Sequence, residues 1–218
     1  LIIRRDFTSS ELASKSATFA LPKSAAGTEC SFYAVANYDA SSAKTRAALT
    51  VLVEKSAADY NGTFAEVSSA AKRSGGFVMS GSASKAVAAA GSSTDVAITL
   101  KRTVAKVAVQ VTPSPQFGSL YQGAVRIDGI TLSNGATQTP VFPTKTDPGA
   151  FNFSTTQASD AASGKYRNLF YLYESPARNV GSRVKATIDA TYDMDGDFST
   201  AAGQSSMTYE VELCLLYT

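Results

Sequence analysis

The sequence predicts an all-β fold, built as two β-sandwich domains with a short helical insertion in the first. Several short segments alternate apolar and polar residues, as half-buried strands do. Clusters of Gly, Pro, Asn and Ser separate these segments, as turns between strands do. Hydrophobic residues make up 44% of the 218 residues and charged residues 17%, so the chain has enough apolar surface to form a core.

The chain starts with segments that read as strands. Residues 1–7 and 18–21 are the first two, and residues 30–37 form a third with an apolar face. The turn at residues 22–27 predicts that the second and third segments pair as a hairpin.

Residues 42–73 differ, because their Ala, Val and Leu residues fall near helical spacing among good helix formers. Asn61 and Gly62 would end a first helix. Thr63 and Glu66 have the spacing of a capping box, which predicts a second helix that reaches about Arg73. The first domain therefore contains a helical insertion.

The strongest strand pattern covers residues 96–111, but its apolar positions change parity partway along. The chain must therefore bulge, twist or change sheets near residues 102–106, because a one-residue slip exchanges the two faces of a strand. Pro113 follows and cannot donate to a sheet ladder. We place the domain boundary there, giving domains 1–112 and 113–218.

Five segments of the second domain read as strands, and their spacing is typical of a sandwich. They are residues 124–132, 151–155, 168–173, 183–192 and 207–218. The last segment could be the domain's own final strand or a strand donated to a neighbour, and we favour the first interpretation. Its apolar alternation fits both.

The composition excludes several classes of function. The chain has no His, so a Ser-His-Asp triad and ordinary zinc sites are ruled out. The net charge is +2 without a basic run, which argues against nucleic-acid binding. No segment approaches the roughly 20 apolar residues that span a bilayer. Cys30 and Cys214 are expected to be free, partly buried thiols, with a disulfide bridge as the alternative.

Three patterns hint at chemistry, and each has a simpler interpretation. Carboxylates at Asp193, Asp195 and Asp197 suggest weak calcium binding, but they lack EF-hand spacing and fit a solvated hairpin tip. Two Ser-x-x-Lys matches resemble serine-lysine acyltransferases without their partner motifs; they are Ser41 with Lys44 and Ser82 with Lys85. The aromatic residues of 166–173 could stack on sugars, but core packing is the expected role. We predict no catalytic, metal or cofactor site, and no enzyme.

Several segments together resemble the fimbrillins, or type V pilins, of Bacteroidales. In the first half these are residues 32–37 (FYAVAN), 75–81 (GGFVMSG) and 100–107 (LKRTVAKV), which keep the order found in the family. In the second half, residues 171–175 (YLYES), and residues 184–186 (VKA) with 191–192 (TY), resemble strands of the family's second domain. The ordered set covers most of the chain.

The resemblance implies two transthyretin-like Greek-key sandwiches in a surface subunit that supports adhesion. It further implies an exported lipoprotein precursor, an arginine-specific processing step and polymerisation with other fimbrial subunits by strand exchange at the outer membrane. The sequence departs from the family in lacking the lipid-bearing Cys and the strand expected before Leu1, so we expect truncated ends and a removed export signal. Arg4 and Arg5 could be mistaken for the processing site. The alternative function is a tip adhesin that recognises a glycan or host protein.

Overall fold

A computed structural model describes residues 3–70, 72–142, 148–175 and 182–213. Strands make up 39% of the chain and helices 14%, which confirms the predicted all-β class. The strands form four antiparallel sheets of two to four strands each. Within the described ranges, every helix is too short or too polar to cross a bilayer.

The helices are short and lie at the start of the chain, in the insertion and before the second half. They are α1 (Ser9–Ser14), α2 (Arg46–Thr50), α3 (Phe64–Ser69) and α4 (Phe117–Leu120). The strands are β1 (Glu29–Ala36), β2 (Val53–Glu54), β3 (Met79–Ala86), β4 (Lys101–Arg102), β5 (Val104–Val111), β6 (Ala124–Gly135), β7 (Thr139–Pro140), β8 (Phe153–Ala158), β9 (Asp160–Ala162), β10 (Lys165–Tyr173), β11 (Lys185–Asp193) and β12 (Gln204–Glu212).

The first sheet has the order β1-β3-β4, and its pairing corrects two predictions. Residues 18–21 form no strand and do not pair with β1, and residues 3–7 form none either. The N–H of Gly27 instead donates to the carbonyl of Val87 at 2.9 Å, which aligns β1 with β3 from much further along the chain. The strand at residues 30–37 is confirmed as β1.

The helical insertion is present but more broken than its spacing predicts. Strand β2 and a 3₁₀ helix at Ala57–Tyr60 separate α2 from α3. The capping box is confirmed, because the hydroxyl of Thr63 accepts from the N–H of Glu66 and the Glu66 carboxylate accepts from the N–H of Thr63. Helix α3 ends at Ser69, short of the predicted Arg73.

The predicted strand at residues 96–111 is interrupted, as its change of parity indicates. Residues 96–100 are not a strand, and Thr103 separates β4 from β5. The N–H of Thr103 donates to the carbonyl of Val78 at 3.0 Å. The chain therefore changes sheets within the predicted range, since β4 pairs with β3 and β5 pairs with β10.

Two sheets face each other in the second half. One has the order β5-β10-β9 and the other β12-β11-β6-β8. Their shared core consists of apolar side chains from β6, β10, β11 and the residue just before β11: Ile130, Leu132, Phe170, Leu172, Val184 and Ala186. The opposite face of β10 packs Leu169, Tyr171 and Tyr173 against the helical insertion. The aromatic residues near the end of β10 are therefore core, as predicted.

The five predicted strands of the second half correspond to β6, β8, β10, β11 and β12. Residues 214–218 of the last predicted strand lie outside the described residues. The domain boundary after residue 112 stays a prediction. Two pairings connect its sides, since β5 pairs with β10 and β2 pairs with β7.

Candidate functional site: the open edge of the sandwich

One lateral edge of the sandwich is closed by the chain itself. Strand β8 ends one sheet and β9 ends the facing sheet, with only Ser159 between them. The N–H of Ser159 donates to the carbonyl of Asp128 in β6 at 3.0 Å, so the crossing starts while the chain is still attached to the first sheet. The two sheets are thus joined covalently along this side.

Side-chain amides complete the closed edge where β9 is too short to cover β10. Strand β9 pairs only with residues 165–167 of β10. Beyond it, Gln157 donates to the carbonyl of Leu169 at 3.0 Å and accepts from its N–H at 2.8 Å. Asn61 makes the same pair of bonds with Tyr171, at 2.8 and 2.9 Å. Both amides are buried and take the place of a strand.

The opposite edge is formed by β5 in one sheet and β12 in the other, and it is open. Within the described ranges, β5 pairs only with β10 and β12 only with β11. Unlike β8 and β9, these two strands are far apart in sequence, so the chain does not cross between the sheets there. Among the described residues, no further hydrogen bond is made by the main-chain groups on the outward edge of β5.

Apolar side chains line this open edge. Val107, Val109 and Val111 point from β5 toward the core and are only half-buried. Across the gap, Tyr209 and Val211 of β12 lie opposite Ile188 and Ala186 of β11 in register. These two β12 side chains are 51% and 48% exposed, although they stand on the core side of their sheet.

The two facing sheets therefore differ by one strand at this side. The sheet that contains β5 has three strands and the other has four. A fourth strand beside β5 would lie over the inner face of β12 and cover Tyr209 and Val211. This open edge, lined by the three valines and the two β12 side chains, is the acceptor groove.

A buried carboxylate, that of Glu54 in β2, lies near Tyr173 at the end of β10. Glu54 accepts hydrogen bonds from the hydroxyls of Tyr60 at 3.0 Å and Thr103 at 2.9 Å, and Arg73 lies 3.6 Å away. Burial, and then the Glu54 charge, raise the pKa of the neighbouring Tyr173 hydroxyl far above its usual value, so it stays neutral. The cluster ties the helical insertion to the β4–β5 junction.

Asp195 and Asp197 are exposed in the loop of the β11–β12 hairpin, as predicted for a solvated tip, whereas Asp193 is the last residue of β11. Asp193 is fully buried and accepts from the N–H groups of Asp195, Gly196 and Phe198 at 3.0–3.3 Å. Burial alone would raise the pKa of Asp193, but its hydrogen bonds outweigh that effect and lower it. Calcium binding there stays a hypothesis.

Other predicted candidates fall in different places. Ser82 and Lys85 lie on β3, where a spacing of three residues points them to opposite faces, so they cannot form a catalytic pair on that strand. Ser41 and Lys44 lie in the loop before α2. Cys30 is a free, half-buried thiol, as predicted, whereas Cys214 lies outside the described residues.

A second exposed surface lies at the loop end of the sandwich. Phe117 packs its ring 5.3 Å from that of Tyr121 and 6.1 Å from that of Tyr192. Around this cluster, Leu120, Tyr121 and Met194 are each more than 60% exposed. We call these three side chains the loop-end patch.

The sequence predicted the strands that line the groove, but it did not predict that they lie at the same edge. The alternation of Val107, Val109 and Val111 was visible, and so was that of Tyr209 and Val211. What the sequence could not show is that the two faces meet at one side of one sandwich.

No family model matches the chain, and no curated protein sequence matches it significantly.

Proposed function

We propose that this chain is a structural subunit of a cell-surface fibre and that its acceptor groove takes up an extended segment of a neighbouring subunit. The observation that carries this proposal is that no strand of the described part of the chain lies beside the outward edge of β5, which leaves half-buried valines and the core side of β12 uncovered. Added strands bind to such edges through main-chain hydrogen bonds, and alternate side chains enter the apolar gap.

The exposed area supports an assembling chain. Covering the exposed half of Tyr209 and Val211 would recover about 0.8–1.5 kcal/mol for each side chain, which is half of the value for complete burial. Each new main-chain hydrogen bond adds about 1 kcal/mol net. An eight-residue edge such as β5 therefore gives a neighbour's segment enough contacts to offset its ordering.

The proposal includes the identity that the sequence resemblance implies. The subunit would be an exported, outer-membrane-associated fimbrillin with two transthyretin-like Greek-key sandwiches, and other fimbrial subunits would be its partners. It would act as a building block and not as an enzyme. The absence of His from the sequence fits this role, because the usual general base near neutral pH is missing.

Electron microscopy and sedimentation velocity of the purified full chain over a range of concentrations test the proposal. We expect filaments, and we expect Tyr209→Lys to prevent them because a charge would enter the groove. Thr208→Lys is the matched control, because Thr208 is exposed on the other face of the same strand. A wild-type chain that stays monomeric throughout, or filaments unchanged by Tyr209→Lys, would contradict the proposal.

The loop-end patch favours a second candidate, a tip adhesin that recognises a glycan or host protein. Exposed Tyr121 is suited to stacking on a sugar ring, and Leu120 and Met194 extend the apolar surface around it. A glycan array distinguishes the two candidates. Discrete particles that bind a glycan through Tyr121 favour the adhesin, and filaments without glycan binding favour the building block.

A further inference from the structure

The loop-end patch is built on two chain segments that are in direct contact. The hydroxyl of Tyr192 donates to the carbonyl of Gln122 at 2.6 Å. A Cβ atom at Gly123 would lie 2.0 Å from the carbonyl oxygen of Asp193, so the two main chains approach as closely as only glycine allows. The residues just before Gly123 and those just after Asp193 therefore form one surface.

Large apolar side chains that face water are concentrated at this surface. Five of them in the described part of the chain are more than 60% exposed, and three of those five form the loop-end patch. Tyr121 has a fixed position in the patch, because its ring packs 5.3 Å from that of Phe117. An exposed apolar patch of this kind is typical of a surface that binds a partner.

Negative charge borders the patch on the side of the β11–β12 loop. Asp195 directly follows Met194 of the patch, Asp197 lies two residues further on, and both are exposed. Within the described ranges, neither carboxylate takes part in an ion pair. Each accepts hydrogen bonds from residues of its own loop, which leave its charge uncompensated. The patch is therefore apolar at its centre and acidic at this border.

A basic side chain beside this loop shows how an arginine binds to such a surface. Arg126 of β6 pairs with Asp128 at 2.7 Å, and its guanidinium lies 4.8 Å from the centre of the Phe198 ring. A planar guanidinium can stack on an aromatic ring and bind a carboxylate at the same time. Tyr121 and Asp195 offer a second ring and a second carboxylate on the same surface. Among the described residues, neither of them is paired with an arginine.

We infer that the loop-end patch binds a peptide segment of another protein that carries arginine beside a large apolar residue. The guanidinium stacks on Tyr121 and donates to the carboxylates of Asp195 and Asp197. The apolar neighbour covers Leu120 and Met194. A neutral glycan would gain nothing from the two charges, and an acidic glycan would be repelled by them. The inference rests on the second candidate function, the adhesin, and specifies its partner.

Fluorescence anisotropy with defined peptides tests the charge of the partner. The probe is a labelled peptide in which arginine and leucine alternate, and the protein is the full chain with Tyr209→Lys, which we expect to be monomeric. A matched peptide with citrulline in place of arginine keeps the shape and removes the charge. We expect the citrulline peptide to bind at least about tenfold more weakly. Equal binding of the two peptides, or no binding of the arginine peptide at about 1 mM protein, would overturn the inference.

A double substitution in the chain tests the carboxylates. Asp195→Asn with Asp197→Asn should weaken binding of the arginine peptide at least about tenfold. Asparagine keeps an oxygen that accepts the hydrogen bonds of the loop, so the urea midpoint should stay unchanged. Asp95→Asn with Asp189→Asn is the matched control, because it changes the net charge equally at exposed positions outside the loop. Equal effects of the two pairs would mean that net charge alone attracts the peptide, which contradicts the inference.

Two substitutions at Tyr121 test the aromatic ring. We expect Tyr121→Ala to weaken binding of the arginine peptide about tenfold, whereas Tyr121→Phe keeps the ring and should keep most of the affinity. A glycan array with the same variants tests the alternative partner. A neutral glycan that binds the wild type and the double asparagine variant equally, but not Tyr121→Ala, would replace the basic segment as the ligand of the patch.

Filament formation separates this inference from the proposed building block. We expect the double asparagine variant to lose peptide binding and to keep its filaments, because the loop lies outside the acceptor groove. Filaments without peptide binding in the wild type would overturn the inference and leave the building block intact. Peptide binding without filaments would support the inference and the adhesin, and it would contradict the building block.

Discussion

The two sides of the three-stranded sheet differ in whether the main-chain groups at the edge have hydrogen-bond partners. On one side, β9 covers the start of β10, and the buried amides of Gln157 and Asn61 bond to the main chain that β9 leaves uncovered. On the other side, β5 has eight residues and a free edge among the described residues. This contrast between a completed edge and an open one supports the proposed docking of a strand from outside.

The contribution of the core between the two sheets to the free energy of unfolding is the reference for the contribution of each edge. We expect Phe170→Ala to lower the free energy of unfolding by about 3–5 kcal/mol, because Phe170 is fully buried and the substitution leaves a cavity. Urea denaturation in the Tyr209→Lys background, which we expect to be monomeric, measures the change. A loss below about 1 kcal/mol would mean that the two sheets do not share this core.

The closed edge should respond next most strongly. Gln157→Leu is expected to cost about 2–4 kcal/mol, since the N–H and carbonyl of Leu169 would lose their partners in a buried position. Gln122→Leu serves as the control, because Gln122 is exposed and its main-chain carbonyl, not its amide, accepts the hydrogen bond from Tyr192. If both substitutions had equal effects, the closed edge would not depend on its amides.

The hairpin that carries the open edge should be sensitive to acid. Hydrogen bonds hold the pKa of Asp193 below its usual 3.8, so its contribution to stability is present above that value and is lost as the pH falls through the folded-state pKa. The urea midpoints of wild type and Asp193→Asn should therefore differ at pH 7 and converge toward pH 2. A difference that stays constant with pH would assign the effect to packing alone.

The open edge should contribute least to the stability of the monomer. Tyr209→Ala is expected to cost less than about 1 kcal/mol, because half of the side chain is already exposed to water. Its effect on assembly should be larger than its effect on folding, which sedimentation and denaturation of the same sample compare. A cost as large as that of Gln157→Leu would show that the groove is already a closed part of the core.

Local patterns allowed much of the fold to be predicted. The strands at residues 30–37, 124–132 and 168–173 and the Thr63–Glu66 capping box are determined by neighbouring residues, so they could be read directly. The parity change before Val107 also identified the place where the chain leaves one sheet for another, at Thr103.

Pairing between distant segments could not be predicted in the same way. The expected hairpin of residues 18–21 with β1 was wrong, since β1 pairs with β3 some fifty residues later. The roles of Gln157 and Asn61 were also missed, because a buried amide that bonds to a remote strand has no local signature. The groove itself depends on which strands lie side by side, which is a property of the whole topology.

The interruption at Thr103 has a mechanical consequence. Residues 101–111 pass through two sheets with a bend at Thr103, where hydrogen bonds to Val78 and to the buried Glu54 hold the chain near the start of β5. Tension applied along that stretch would pull β5 lengthwise past β10. All hydrogen bonds between the two strands would then bear the load together instead of breaking one after another. A chain pulled in this geometry withstands force far better than one peeled from its end.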